Sequence, residues 1–253
     1  MRLIDSHCHL TDEAFDDDRL FILNDLSNFG LKAIINPATN IADSKMAIEL
    51  AEKYDNFYAM AGIHPEEVDD ITDKDLEELE SLATNEKVIA IGEIGLDYYW
   101  KDDNKKKQKE IFIHQLELAR KLEKPAVIHV RDSKDDVIEI LKDYQDLKIQ
   151  IHCFSDDLET LEKYMQMGFF ISIGGVVTFD NGTNEQNAAR NVPIERLMLE
   201  TDSPYLTPDP YRGLRNDPRR VVEVARKVAA LRDMKMDKLA KRTYNNTKEF
   251  FNL

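Results

Sequence analysis

Cysteine is scarce in this 253-residue chain: Cys8 and Cys153 are the only two, too few for a disulfide framework. No apolar run is long enough for a signal peptide or a membrane span, and the first ten residues, MRLIDSHCHL, are interrupted by charged and polar side chains. Both absences point to a cytoplasmic protein in a reducing compartment with no membrane partner. Positive charge is also in deficit, with 34 Lys and Arg against 49 Asp and Glu and a net charge of −15. Taken alone, this argues against a nucleic-acid binder, which usually shows a basic patch. Much of the acidity falls in stretches such as EEVDDITDKDLEELE, which read as solvated helix faces. Low-complexity segments and linkers are missing too, so residues 1–253 are read as one domain.

What is there is an alternation. Short apolar, β-type runs occupy 2–9, 32–38, 56–65, 88–96, 125–131, 148–154, 169–175 and 196–204. Between them lie stretches such as SKMAIELAEKY, KEIFIHQLELARKLE and DDVIEILKDY, with apolar residues at helical spacing. Strands alternating with helices predict an α/β fold with a parallel sheet, and eight of them favour closure into a single (β/α)8 TIM barrel. The competing architecture is a doubly wound open sheet, but no G-x-G-x-x-G follows the first strand. Two further helical stretches, RRVVEVARKVAALRDM and DKLAKRTYNNTKEFFNL, complete the outer layer.

Five of the six histidines fall near the carboxyl ends of these runs: His7 and His9, His64, His129 and His152. Glu93 lies near the end of the fourth run and Asp202 near the end of the eighth. In this fold the active site is built at that rim. Side chains alternate faces along a strand, so His7 and His9 share the inward face while Cys8 points to the helix layer. By the same reasoning Cys153 points away from His152, and both cysteines read as small buried packing residues. Imidazole and carboxylate donors together suit Zn²⁺, Mn²⁺ and similar ions. His7, His9, Glu93, His129, His152 and Asp202 exceed what one tetrahedral ion needs, so the count favours two divalent ions (Mg²⁺, Mn²⁺ or Zn²⁺) bridged by Glu93. The competing view is a set of core polar residues satisfied by one another. Several buried histidines without an ion would leave many donors and acceptors to pair.

At this point the motif series IDSHCH, GIHP, GEIGLDYY, VIHVRD, IHCFS, ETDSPYL and RGLRNDP resembles that of TatD-family metal-dependent deoxyribonucleases, in order and over nearly the whole chain. The resemblance implies hydrolysis of DNA phosphodiesters, often from a 3′ end. It implies that His7, His9 and Asp202 hold one metal, that His129 and His152 hold the other, and that Glu93 bridges them. Related amidohydrolases often bridge their metals with a carboxylated lysine, but VIAIGEIGL and PAVIHVR contain none. The expected activity is a 3′–5′ exonuclease on single-stranded or frayed DNA ends, acting through metal-activated water, with Glu93 and Asp202 as catalytic residues. Two alternatives stay open: an esterase acting on aminoacyl-tRNA, and a metal-stabilised binding protein without activity. No obligate protein partner is evident.

The remaining polar residues allow more than one role. Asp202 either binds metal alone or also orients the attacking water. His64, fixed by Pro65, contacts a substrate phosphate, supports the metal shell or packs. Asp5 and Glu200, each two residues before a proposed ligand, are expected inward, holding histidine N–H groups or an interior basic side chain. Arg131, Arg212, Arg215, Arg219 and Arg220, with Lys101, Lys105, Lys106 and Lys107, are the candidates for holding phosphates. Tyr98, Tyr99 and Trp100 follow the Glu93 motif and are candidates for stacking on bases, or form a packed aromatic patch; Phe154 and Tyr205 share that ambiguity. His114 reads as a helix-surface residue.

Overall fold

The computed structural model describes residues 1–253. Its eight strands are β1 (Leu3–Asp5), β2 (Leu31–Asn36), β3 (Phe57–Ala61), β4 (Val88–Asp97), β5 (Ala126–Arg131), β6 (Ile149–Ile151), β7 (Phe170–Ile173) and β8 (Leu197–Leu199). Every one lies in its expected run or, for β2 and β4, extends it by one residue. All neighbours pair in parallel and the order in space is the order in sequence, β1 to β8. That is the topology of a (β/α)8 barrel and not of a doubly wound sheet.

The helices are α1 (Arg19–Asp25), α2 (Ile41–Lys53), α3 (Asp73–Ala83), α4 (Lys105–Lys121), α5 (Lys134–Leu141), α6 (Leu158–Gln166), α7 (Thr183–Asn191), α8 (Val221–Leu231) and α9 (Met236–Phe251). Their starts follow from local chemistry. The Asn40 side chain accepts from the Asp43 amide at the head of α2, and Asp157 does the same for Thr160 in α6. Thr72 and Asp75 cap α3 reciprocally. No helix is long and apolar enough to cross a membrane.

Two apolar clusters follow from strand alternation. The larger lies between strands and helices and takes Ile34, Ile91, Ile94, Ile128, Ile151 and Leu199, among others. The smaller fills the lower barrel interior with Ile4, Ala33, Ile35, Met60, Ala90, Val127, Phe170 and Met198, stoppered by Phe250 and Phe251 of α9. Ile91 and Ile94 are three residues apart yet both belong to the outer cluster, because the β4 register slips between them. That slip turns Glu93 into the mouth.

Strands β8 and β1 carry no regular ladder but are stitched by single bonds. Ser6 N donates to Leu199 O (3.0 Å), Asp202 N to His7 O (3.0 Å) and His9 N to Ser203 O (2.8 Å). Asp5 is the pin of this seam. Its carboxylate accepts from the Thr201 hydroxyl (2.5 Å), the Thr201 amide (2.9 Å) and the His7 amide (3.3 Å). The expectation that Asp5 holds a histidine ring or a basic side chain is therefore corrected. β1 ends at Asp5 and His7 lies beyond it, so counting by twos from His7 back to Asp5 fails.

Candidate metal centre

Glu93 and His129 lie within β4 and β5, whereas His7, His9, His64, His152 and Asp202 follow the ends of their strands, where the backbone leaves the sheet. His7 and His9 follow β1 on a segment held between β2 and the residues after β8, with Cys8 N donating to Ile35 O (3.1 Å). Asp202 has φ +55° and is fixed by its bond to His7 O and by the Tyr205 amide donating to its carbonyl. Left-handed backbone at an aspartate is tolerated where surrounding contacts determine it. Gly95 (φ +146°) allows β4 to approach β5: a Cβ there would stand 2.1 Å from His129 O.

Glu93 is the centre of the arrangement. Its Oε2 is 3.1 Å from His7 Nε2 and 3.5 Å from His9 Nε2. Asp202 Oδ1 closes this side at 3.5 Å from His9 Nε2 and 3.9 Å from His7 Nε2. The other oxygen, Oε1, is 2.6 Å from His152 Nε2, 2.7 Å from His129 Nδ1 and 3.6 Å from His64 Nε2. His129 Nδ1 and His152 Nε2 are 3.3 Å apart. The His7 and His152 rings stack at 4.0 Å and the His64 and His129 rings meet edge-on at 4.5 Å.

The donor set fits divalent cations. Three groups, His7–Glu93–His152, His7–His9–Asp202 and His64–Glu93–His129, each present their donor atoms within 4.8 Å of one another. Ligands bound at about 2.0–2.2 Å around one ion are separated by roughly 3–3.5 Å, and most of these spacings are near that. His7 Nδ1 and His152 Nδ1, on the ring edges away from the Nε2 atoms that face Glu93, are buried without a hydrogen-bond partner.

Burial alone would raise the Glu93 carboxyl; His152, His7, His64 and the bond from His129 outweigh it and hold it well below the usual range. Burial would lower His129, His152 and His9, yet Asp97 and Glu93 raise His129, Glu93 and Glu200 raise His152 strongly, and Asp202 and Glu93 raise His9. In His7 and His64 burial prevails, reinforced by the neighbouring His152 and His129, and both are lowered. Asp202 is held low by His9, His152 and His7 against its burial.

The supporting residues divide. Glu200 Oε1 accepts from the Cys153 amide (2.6 Å) and lies 3.6 Å from His152 Nδ1, while Oε2 accepts from the Ser172 hydroxyl (2.5 Å). His64 Nδ1 accepts from the Glu66 amide (3.3 Å), which aims Nε2 at Glu93. Asp97 was missed from the sequence. It is buried, and its Oδ2 is 2.9 Å from His129 Nε2. Spacing was the available signal, since Asp97 follows Glu93 by four residues on the same strand.

Cys8 belongs to the outer apolar cluster, as alternation predicts. Cys153 does not: β6 stops at Ile151, Cys153 turns at φ +43°, and its sulfur lies over Gly174, where an added Cβ would be 3.5 Å away. The strand argument for its facing the helix layer fails because the strand has ended.

The phosphate candidates are largely committed elsewhere. Lys101 pairs with Asp69, and Lys107 donates to Asp69 O (2.6 Å) and Ile71 O (3.0 Å). Arg215 pairs with Asp18 at 2.6 Å, Arg219 with Asp25 and Asp217, and Arg220 donates to Arg215 O. Lys105 lies over the Tyr98 ring at 4.5 Å, and Lys106 is 3.7 Å from Glu110. Arg212 covers Phe179 at 3.6 Å. Arg131 lies 4.0 Å over Tyr99 and 5.3 Å from Trp100, and those two rings are 54% and 64% exposed. Tyr98 instead turns inward and donates to Asp136 (2.8 Å). Tyr205 donates to Asp12 (3.1 Å) and presents an edge to His9 at 6.1 Å, whereas Phe154 is buried against Tyr164. His114 stays on α4, 3.6 Å from Glu80.

Residues 4–252 match the family model described as TatD related DNase. The chain belongs to the TatD family. Its TatD-family relatives include the uncharacterized metal-dependent hydrolases YabD of Bacillus subtilis and YcfH of Escherichia coli. Each is 38% identical to this chain; the YabD match covers 99% of both chains, and the YcfH match covers 100% of this chain and 97% of the relative. The crystal structure of YjjV, a TatD homolog from Escherichia coli, superposes with a TM-score of 0.94 at 31% identity, over 100% of this chain and 98% of that one. This TatD-family chain is accordingly a metal-dependent hydrolase with candidate His, Glu and Asp metal-binding clusters at its barrel mouth.

Proposed function

We propose that this hydrolase cleaves DNA phosphodiester bonds as a 3′–5′ exonuclease on single-stranded or frayed ends. The observation that carries the reading is the division of Glu93: Oε2 faces His7 and His9 and Oε1 faces His129 and His152, an arrangement in which one carboxylate would serve two cations. Two divalent ions held by these residues and Asp202 would supply water activated at neutral pH and neutralise charge on both oxygens of an in-line displacement. The family description, TatD related DNase, supports a nucleic-acid substrate.

The roles of the chain's own residues follow from their positions. Asp202, ionised and 3.5 Å from His9, orients the attacking water and accepts its proton. Glu93 keeps the two ligand sets at a fixed separation. His64, on the Oε1 side, contacts the scissile phosphate. Arg131 with Tyr99 and Trp100 offers an exposed cation and aromatic faces to the neighbouring nucleotide. Arg212 has no acidic partner among the observed ion pairs and approaches a phosphate from the opposite rim. With net charge −15 and Lys101, Arg215 and Arg219 at the rim already paired with aspartates, a strand end entering the mouth suits the molecule better than a duplex laid across it. Residues 1–253 act as one unit, because the ligands come from both ends of the chain. Free Cys8 and Cys153 suit a reducing cytoplasm.

The test is a 3′-labelled and a 5′-labelled oligonucleotide, single-stranded, duplex and closed circular, each with Mg²⁺, Mn²⁺ or Zn²⁺ and after chelation. Stepwise metal-dependent loss from the 3′ end, with the circle intact, is the expected result. Equal cutting of the circle removes the exonuclease reading. A mischarged tRNA run in parallel distinguishes ester hydrolysis, and activity on neither leaves the binding-protein alternative.

A further inference from the structure

Asp97 ends β4 and faces two structures at once. Its Oδ2 is 2.9 Å from His129 Nε2. Its Oδ1 accepts from the backbone amides of Tyr99 (2.9 Å) and Trp100 (3.3 Å). The backbone of Asp97 is clamped by Gln108 of α4, which accepts from Asp97 N (2.9 Å) and donates to Asp97 O (2.8 Å). Directly across the β4–β5 pairing lies Arg131, whose guanidinium covers Tyr99 at 4.0 Å. Tyr99 and Trp100 meet edge-on at 4.8 Å.

We infer that Asp97 is a positioning residue that fixes the proton on His129 and the shape of the Tyr99–Trp100 loop through one buried carboxylate. An ionised carboxylate only accepts hydrogen bonds, so the His129 nitrogen facing it carries the ring proton. Nδ1 lies 2.7 Å from the Glu93 carboxylate, so without an ion it carries a proton as well; a cation between them would take the place of that proton and use the Nδ1 lone pair while Nε2 goes on donating to Asp97. The other oxygen holds two loop amides that the sheet no longer serves. Orientation of the metal ligand and of the exposed aromatic faces beside it is thus set by the same side chain. The inference rests on the metal-centre reading; it does not depend on DNA being the substrate.

The two duties separate by substitution. In Asp97→Asn the amide oxygen can still accept from the loop amides, but its NH₂ then faces His129 Nε2. That nitrogen must now accept, which moves the ring proton to Nδ1 and opposes metal binding. Asp97→Ala loses both duties. Trp100 is the only tryptophan in the chain, so its emission and anisotropy report the loop without a label.

The experiment uses the full chain with Zn²⁺ alone. Nitrogen-15 NMR of the Zn²⁺-loaded parent is expected to find the His129 proton on Nε2. Asp97→Asn is expected to weaken Zn²⁺ binding by about 10–100-fold with Trp100 fluorescence unchanged. Asp97→Ala is expected to weaken binding similarly, to lower the Trp100 anisotropy and to shift its emission. A proton on Nδ1 in the parent, Zn²⁺ affinity of Asp97→Asn within about threefold of the parent, short of the ~10-fold floor for lost ligand support, or an unmoved Trp100 signal in Asp97→Ala would overturn it. If Asp97→Ala does not fold, the parent spectrum and the Asn variant still decide. None of these readouts contains DNA, so failure of the nuclease reading leaves them standing.

Discussion

The lower barrel interior and the mouth are lined by the same eight strands, yet the two ends have opposite chemistry. Below, Ile4, Ile35, Met60, Val127, Phe170 and Met198 pack on Phe250 and Phe251, and Phe170 meets Phe250 at 5.1 Å. Above, five histidines, Glu93 and Asp202 crowd together, and two imidazole nitrogens have no partner. Between them Gln150 donates to Ser172 (2.9 Å), which donates to Glu200 (2.5 Å). The lower end stabilises by burying apolar surface. The upper end concentrates charge and desolvated donors, and becomes favourable when cations occupy it. Stability and chemistry are therefore assigned to different ends of one enclosure.

The largest test of that division is Phe250→Ala. Removing a fully buried aromatic stopper is expected to cost about 3–5 kcal/mol in denaturant unfolding, while activity per folded molecule stays near the parent's. A large loss of activity with little loss of stability would deny the division. Glu93→Gln is the mirror experiment. Hydrolysis is expected to fall by more than the ~100-fold upper end for groups that merely support a ligand, in protein that still folds when chelated. Full hydrolytic activity with reduced metal content would remove Glu93 from catalysis.

Metal removal sharpens the comparison. A cation present at 100 times its dissociation constant stabilises the fold by about 2.7 kcal/mol, so chelation should lower the melting midpoint. The gap depends on pH. In the chelated protein His129 and His152 are raised above 6.5, so their pairs with carboxylates contribute stability below pH 6.5 that is lost as pH rises through the raised values. Those same protons compete with metal, whose affinity therefore rises with pH. Loaded and chelated melting curves should diverge as pH increases, and a gap independent of pH would count against histidine ligation.

The smallest effects separate the rim residues. Trp100→Ala should raise KM for a single-stranded oligonucleotide by an amount equivalent to about 1–3 kcal/mol of stacking. Lys101→Ala should change KM by less than about 1 kcal/mol, because that ammonium is already paired with Asp69. The reverse ranking would mean that phosphate contacts on the loop outweigh stacking.

The eight strands were legible because each is a short apolar run bounded by helical spacing, and the six proposed ligands because histidines seldom collect at strand ends by chance. The settings of Asp5 and Cys153 were not legible, and for one reason. Period-two counting assumes an unbroken strand, whereas β1 ends at Asp5 and β6 stops before Cys153. Asp97 keeps the spacing from Glu93, but nothing along the chain shows that its carboxylate reaches His129 on the neighbouring strand. Pairings of long basic side chains with Asp18, Asp25 and Asp69 were likewise invisible, since those contacts join residues distant in the chain or set by loop shape.

Periodicity along the chain by itself determined the α/β alternation, the number of strands and the residue types gathered at the rim, because hydrophobic burial acts on every segment locally. Only the tertiary structure decided that Glu93 turns its two oxygens to different histidines, that Asp5 closes the seam, and that Asp97 joins His129 to a loop. Those arrangements depend on bulges, strand ends and close approaches a few ångströms across, which arise when the barrel closes and not before.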